Sequence, residues 1–124
     1  MIKGIAHIGI IVKNLEEAVS LYCELFGLEK SETKDWPSEG MRHVMLHVGS
    51  QSFEVMEPHS GSSLAKFVEQ RGEGIHHINL VCDNLESLVS SLKERGAIVI
   101  ERGPRLCFVH PKSTKGVLFE LQQL

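Results

Sequence analysis

Four side chains able to bind a metal ion stand at equivalent positions of two similar segments of this sequence. His7 and His77 each lie at the head of an apolar run, and the runs align after a shift of about 70 residues. Late in each segment, Glu54 and Glu120 each lie between two large apolar residues. Side chains alternate along a strand, so each Glu points away from its neighbours. Two imidazoles and two carboxylates suit Mn, Fe, Co, Ni or Zn in an open, near-octahedral site.

Each of these four residues also has an ordinary structural interpretation. A strand histidine is commonly a satisfied core or surface residue, and a strand glutamate commonly faces solvent. A buried carboxylate, in contrast, costs several kcal/mol unless a cation or donor pairs with it. The repeat favours a shared metal ion, because four independent residues fall at matching positions. The pattern alone leaves both interpretations open.

The repeat extends from the histidines into the elements that must position them. Asn14 aligns with Asn84, and identical residues continue to Glu24 and Glu94. Such a duplication predicts two copies of one supersecondary unit. We predict a single domain over 1–124 that contains two modules, about 1–60 and 75–124, joined by a linker helix at about 62–71.

Hydrophobic spacing predicts the same β-α-β-β-β order in both modules. In each, an asparagine with N-cap character starts an amphipathic helix that a glycine ends. The predicted strands of the first module cover 4–12, 28–34, 41–48 and 51–56, with a turn at 35–40. Those of the second cover 76–82, 97–101, 105–110 and 116–121. This order predicts an α+β fold in which each helix covers one face of a sheet and the other face encloses a site.

Composition limits the classes of function. The chain has 124 residues, a net charge of −3 and 42% hydrophobic residues, so it has no basic surface for nucleic acid. No apolar run approaches the ~20 residues of a membrane span, and the N-terminus lacks a signal-peptide layout. Three cysteines without a CxxC pair favour a reducing cytoplasm. We interpret Cys82 and Cys107 as buried packing residues.

Three stretches carry a family resemblance: 6–10 (AHIGI), 63–78 (SLAKFVEQRGEGIHHI) and 110–121 (HPKSTKGVLFEL). With the repeated order and the His, Glu, His, Glu set, the chain resembles the vicinal oxygen chelate superfamily, which includes glyoxalases, bleomycin-resistance proteins and dioxygenases. Within it, the chain is most similar to methylmalonyl-CoA epimerases. The resemblance implies the vicinal oxygen chelate fold, a curved, barrel-like mixed sheet around a metal site.

The resemblance implies one divalent metal ion, whose identity among Co, Mn, Ni, Zn and Fe is open, with ligands at His7, Glu54, His77 and Glu120. It implies an isomerase that interconverts the 2R and 2S epimers of an acyl-CoA or other thioester by proton transfer next to the thioester carbonyl. A glyoxalase I-like lactoylglutathione lyase or another enzyme of the superfamily is the alternative. A non-catalytic protein that binds a small ligand is a further one.

Epimerisation needs an acid–base group on each face of the substrate. Glu120 is one candidate, and His43 is the other because it stands where some epimerases have a glutamate. The alternative for His43 is a half-exposed strand histidine. Lys112 and Ser113 follow a predicted strand and are candidates for substrate binding, or else belong to a plain solvated turn. Exposed sheet edges favour a homodimer, and no nucleic-acid or membrane partner is expected.

Overall fold

Nine strands and three helices make up the chain in the computed structural model, which describes all 124 residues. The helices are α1 (Leu15–Phe26), α2 (Ser63–Arg71) and α3 (Leu85–Glu94), and none has the length and apolar character needed to cross a membrane. The strands are β1 (Ile2–Ile11), β2 (Glu29–Lys30), β3 (Lys34–Trp36), β4 (Met41–Val48), β5 (Gln51–Pro58), β6 (Gly74–Cys82), β7 (Val99–Glu101), β8 (Leu106–Val109) and β9 (Phe119–Gln123). This order confirms the predicted α+β class.

The chain forms two compact units whose limits fall inside β1 and β6. One unit, called the terminal unit here, contains Met1–His7 and His77–Leu124; the other, the central unit, contains Ile8–His76. These units differ from the two sequence repeats, because β1 and β6, the first strands of the two repeats, are each divided between the units. The single domain over 1–124 and its module limits stay a prediction.

The central unit is built on a tight antiparallel hairpin. β4 and β5 pair along their whole length, from Met41 opposite Pro58 to Val48 opposite Gln51. The two-residue connection at Gly49 and Ser50 has the positive φ of a tight hairpin turn at the glycine. Helix α1 buries Leu15 and Val19 in a core with side chains of β4 and β5. The two strands are therefore fixed in one register, which sets where their polar side chains meet.

The caps predicted for α1 are present. The Asn14 side chain accepts a hydrogen bond from the amide of Glu17, and Gly27 ends the helix with φ of 65°. The equivalent residue Asn84 accepts from Ser87 at the start of α3. Each cap satisfies an amide that the first helical turn leaves without a partner, so the repeated asparagines define both helix starts.

In the terminal unit, β6 pairs in parallel with β9, and β9 pairs antiparallel with β8. Helix α3 packs Leu85 and Val89 onto these strands. Cys82 and Cys107 lie in the same core, which confirms their assignment as packing residues. Burial, with the nearby Cys82 as the next cause, raises the pKa of the Cys107 thiol to about 11. A thiol with that pKa stays protonated near neutral pH and is a poor nucleophile.

Several predicted strand boundaries are wrong. The strand predicted over 28–34 is two short strands, β2 and β3, because Ser31 uses both its amide and its hydroxyl to bond the backbone of Met45. Asp35 and Trp36, predicted as a turn, belong to β3 and pair with β4. The strand predicted from 116 starts at Phe119, since a turn with positive φ at Lys115 and Gly116 precedes it.

Gly40 lies between the turn that follows β3 and the start of β4, at a position with no space for a side chain. Its φ is 71°, and a Cβ there would lie 2.8 Å from Cβ of Ser62, the N-cap of α2. Its carbonyl also accepts a hydrogen bond from the amide of His59 at 2.7 Å. Glycine is therefore required both for the backbone angle and for close packing.

We expect Gly40→Ala to lower the free energy of unfolding by roughly 2–4 kcal/mol, since left-handed strain and a clash with the Ser62 side chain add. Gly49→Ala is the matched control: its φ is 61°, but its Cβ would meet nothing within 4 Å. Strain alone predicts a loss of roughly 1 kcal/mol for that variant. Urea unfolding of both proteins measures the difference, and equal losses would contradict the packing contribution.

Candidate metal centre

Three of the four predicted ligands meet in the terminal unit. His7 lies on β1, His77 near the middle of β6, and Glu120 on β9. One ligand atom from each of these side chains falls in a group whose members lie within 4.8 Å of one another. His77 is buried, and His7 and Glu120 keep 13% and 14% of their side chains exposed. The group is thus largely shielded while still reachable from outside.

The distances within this group fit a metal ion. The two Nε2 atoms of His7 and His77 are 3.0 Å apart. Oε1 of Glu120 lies 3.2 Å from Nε2 of His7 and 3.5 Å from Nε2 of His77. Ligand atoms at about 2.1 Å from one metal ion and at right angles to each other are about 3 Å apart. Two imidazoles and one carboxylate are therefore a suitable open ligand set for a divalent transition metal.

The carboxyl group of Glu120 is held in its charged form. Burial, the largest influence, raises its pKa, but a hydrogen bond with His7, the charge of His77 and a hydrogen bond from Asn79 together outweigh burial. The net result is a pKa below the ordinary value for glutamate. Asn79 lies directly opposite Glu120 in the β6–β9 pair, and its Nδ2 donates to Oε1 at 2.7 Å. An ionised carboxylate is the form that binds a metal.

His43 and Glu54 form a buried pair in the central unit. Nδ1 of His43 lies 2.8 Å from Oε2 of Glu54, and the two residues are 4% and 6% exposed. The half-exposed position considered for His43 is therefore wrong. Its Nε2 is buried without a hydrogen-bond partner. The ring of Trp36 contacts the imidazole in a tilted arrangement, with 4.2 Å between centroids and 39° between ring planes. Glu54 therefore pairs with Nδ1 of His43, and Nε2 is the ring nitrogen left for a further partner.

The remaining predicted residues occupy structural positions whose functional roles are still predictions. Glu54 is buried as expected, and its role as the fourth metal ligand stays a prediction. Lys112 and Ser113 lie in a short 3₁₀ helix, Pro111–Ser113. The hydroxyl of Ser113 accepts a hydrogen bond from the amide of Ile98. Substrate binding by either residue also stays a prediction.

Sequence reasoning missed two residues of these sites. Asn79 is two residues after His77 on the same face of β6, and a polar residue inside an apolar strand was an available signal. Trp36 was assigned to a turn, and only the pairing of β3 with β4 brings it to His43. Its aromatic character alone gave no indication of this contact.

The fold and the group of ligands define a protein of the vicinal oxygen chelate type. The family model that matches residues 6–110 describes the Glyoxalase/Bleomycin resistance protein/Dioxygenase superfamily. The chain belongs to this family.

Several similar proteins are methylmalonyl-CoA epimerases. The chain is 31% identical to mitochondrial methylmalonyl-CoA epimerase of Mus musculus over 94% of this chain and 71% of that protein. It is 32% identical to ethylmalonyl-CoA/methylmalonyl-CoA epimerase of Cereibacter sphaeroides over the full length of both. The structure of Streptomyces coelicolor methylmalonyl-CoA epimerase in complex with 2-nitronate-propionyl-CoA superposes with a TM-score of 0.89 at 29% identity, over 99% of this chain and 98% of that one.

Proposed function

We propose that this protein is a metal-dependent epimerase that interconverts the 2R and 2S forms of methylmalonyl-CoA or a close homologue. The observation that carries the proposal is the group of His7, His77 and Glu120, with separations that fit one divalent ion. Full-length similarity to epimerases of malonyl-type CoA thioesters supports the substrate class. It also favours the epimerase over the glyoxalase I-like lyase.

The proton to be moved lies on the carbon between a thioester carbonyl and a carboxylate. A metal ion held by His7, His77 and Glu120 would polarise the carbonyl oxygen and so lower the energy of the enolate. Glu120, kept ionised by its neighbours, accepts the proton on one face. His43, whose Nε2 has no partner inside the protein, returns a proton on the other face. Glu54 holds the His43 ring in one orientation, as a carboxylate does for a catalytic imidazole.

We also propose that the enzyme is located in a reducing cytoplasm. We propose that it acts as a homodimer. The three cysteines are free thiols, as expected in a reducing compartment. Leu25 and Phe26 of α1 are each more than half exposed, and a second copy of the chain is one way to cover them.

Metal-dependent deuterium exchange tests the function. The protein is stripped with a chelator, reconstituted with Co²⁺ and incubated with methylmalonyl-CoA in deuterated water. We expect deuterium uptake at C2 that rises roughly a hundredfold or more when the metal is restored, because carbonyl polarisation is worth several kcal/mol.

Two results would redirect the assignment. A chain that binds one metal ion but catalyses no exchange is not this epimerase, and the hemithioacetal of methylglyoxal and glutathione then tests the lyase alternative. A chain that binds no metal supports a non-catalytic ligand-binding role. Metal content is measured on the same samples, so the two outcomes are separated in one experiment.

A further inference from the structure

Asn79 is the most completely buried polar side chain of the chain, with 0% exposure. It lies on β6, two residues beyond His77 and on the same face of the strand. The residues on either side of it, Ile78 and Leu80, are apolar. An apolar side chain at this position would satisfy the local pattern equally well, so the amide calls for a specific explanation.

The orientation of the amide is set by its partner. Nδ2 donates to Oε1 of Glu120 at 2.7 Å; the reversed amide would place two acceptors against each other. In this orientation Oδ1 is buried and has no hydrogen-bond partner. A buried amide that leaves its acceptor unused destabilises the fold. This arrangement is expected of a residue that serves the metal centre rather than the stability of the fold.

The contacts of Glu120 are divided unequally between its two oxygens. The hydrogen bond from Asn79 and the approaches of His7 and His77 all fall on Oε1, at 2.7, 3.2 and 3.5 Å. The shortest approach of each of these three neighbours is therefore to Oε1 rather than to Oε2. Rotation of the carboxylate would exchange the two oxygens, and Asn79 opposes that rotation because its amide is locked by burial.

We propose that Asn79 is a positioning residue that assigns different roles to the two oxygens of Glu120. It holds Oε1 at the imidazoles of His7 and His77, and it leaves Oε2 for the substrate. This inference rests on the proposed function and deepens it. The side-chain amide of Asn79 would thus determine which oxygen of Glu120 faces the two imidazoles.

Replacement by an apolar residue of similar size separates this role from a structural one. In Asn79→Leu we expect the affinity for Co²⁺, measured by calorimetry on the metal-free protein, to fall by roughly 10- to 100-fold, as for other residues that orient metal ligands. The visible absorption of bound Co²⁺ is expected to change as well, because Glu120 is no longer fixed. The Tm in chelator is expected to stay the same or rise, since an unsatisfied buried acceptor is removed.

Leu80→Ala is the matched structural control. Leu80 is the next residue of β6 and packs against the apolar core of the terminal unit, so its truncation lowers Tm while Co²⁺ affinity is expected to stay within about twofold. Asn79→Ala supplies a second loss of the amide in case leucine disturbs the strand. Asn79 variants that bind Co²⁺ within about twofold of the wild type, with an unchanged spectrum, would overturn the positioning role. A wild-type protein that does not bind Co²⁺ would overturn the metal centre itself and the role of Asn79 with it.

Discussion

Glu120→Gln is expected to lower the rate of deuterium uptake at C2 by roughly 10³-fold or more at saturating metal. Glutamine keeps the size of the side chain but removes the negative charge and the ability to accept a proton. Glu120 also lies within 3.5 Å of both imidazoles, so metal affinity should fall in the same variant. Measuring exchange over a range of Co²⁺ concentrations separates the loss of metal from the loss of the base.

Glu101→Gln is the control for this prediction. This variant makes the same Glu-to-Gln change on another strand of the terminal unit. Glu101 is exposed there and pairs with Lys93 at 2.8 Å. Its replacement should leave both exchange and metal affinity unchanged, because exposed ion pairs contribute little. If Glu120→Gln exchanged deuterium within tenfold of the wild-type rate at saturating metal, Glu120 would not be the base.

His43→Gln is expected to make the exchange of the two epimers unequal. Inversion needs a proton acceptor on each face. With His43 removed, the epimer whose proton faces Glu120 should still exchange, while uptake from the other epimer falls roughly 10²- to 10³-fold. Glutamine can still donate to Oε2 of Glu54, the atom that lies 2.8 Å from Nδ1 of His43, which limits disturbance of the buried pair.

The measurement starts from each pure epimer and follows early deuterium uptake by mass spectrometry. His47→Gln, an exposed histidine farther along the same strand β4, is the control and should behave as the wild type. Equal loss from both epimers would indicate that His43 acts through Glu54 rather than on substrate. No loss from either would exclude His43 from the reaction.

Residues whose roles depend on local chemistry were predictable from the sequence. Asn14 and Gly27 predict the limits of α1 because each acts on groups only a few residues away. The Asn14 side chain accepts a hydrogen bond from the amide of Glu17, and the amide of Gly27 donates to the carbonyl of Cys23. The repeat placed His7, His77 and Glu120 together because equivalent strands of a duplicated fold carry equivalent faces. For the metal centre, pattern and chemistry pointed to the same residues.

Contacts that depend on strand pairing were harder to predict. Counting back from the two-residue turn at Gly49 and Ser50 gives the β4–β5 register, and this count places His43 and Glu54 diagonally on one face. The break between β2 and β3 was not predictable, because it depends on a hydrogen bond that the amide of Met45, on a strand 14 residues away, donates to the Ser31 hydroxyl. Tertiary bonding of this kind overrides local propensity.

The contact between Trp36 and His43 gives the protein an internal optical probe. Trp36 is the only tryptophan in the chain; the residue is 43% exposed, and its ring contacts the imidazole of His43. The emission of the whole protein therefore reports on one environment beside one proposed acid–base group. A ligand that moves either ring changes that emission, so acyl-CoA binding can be titrated without a label even in variants that have lost turnover.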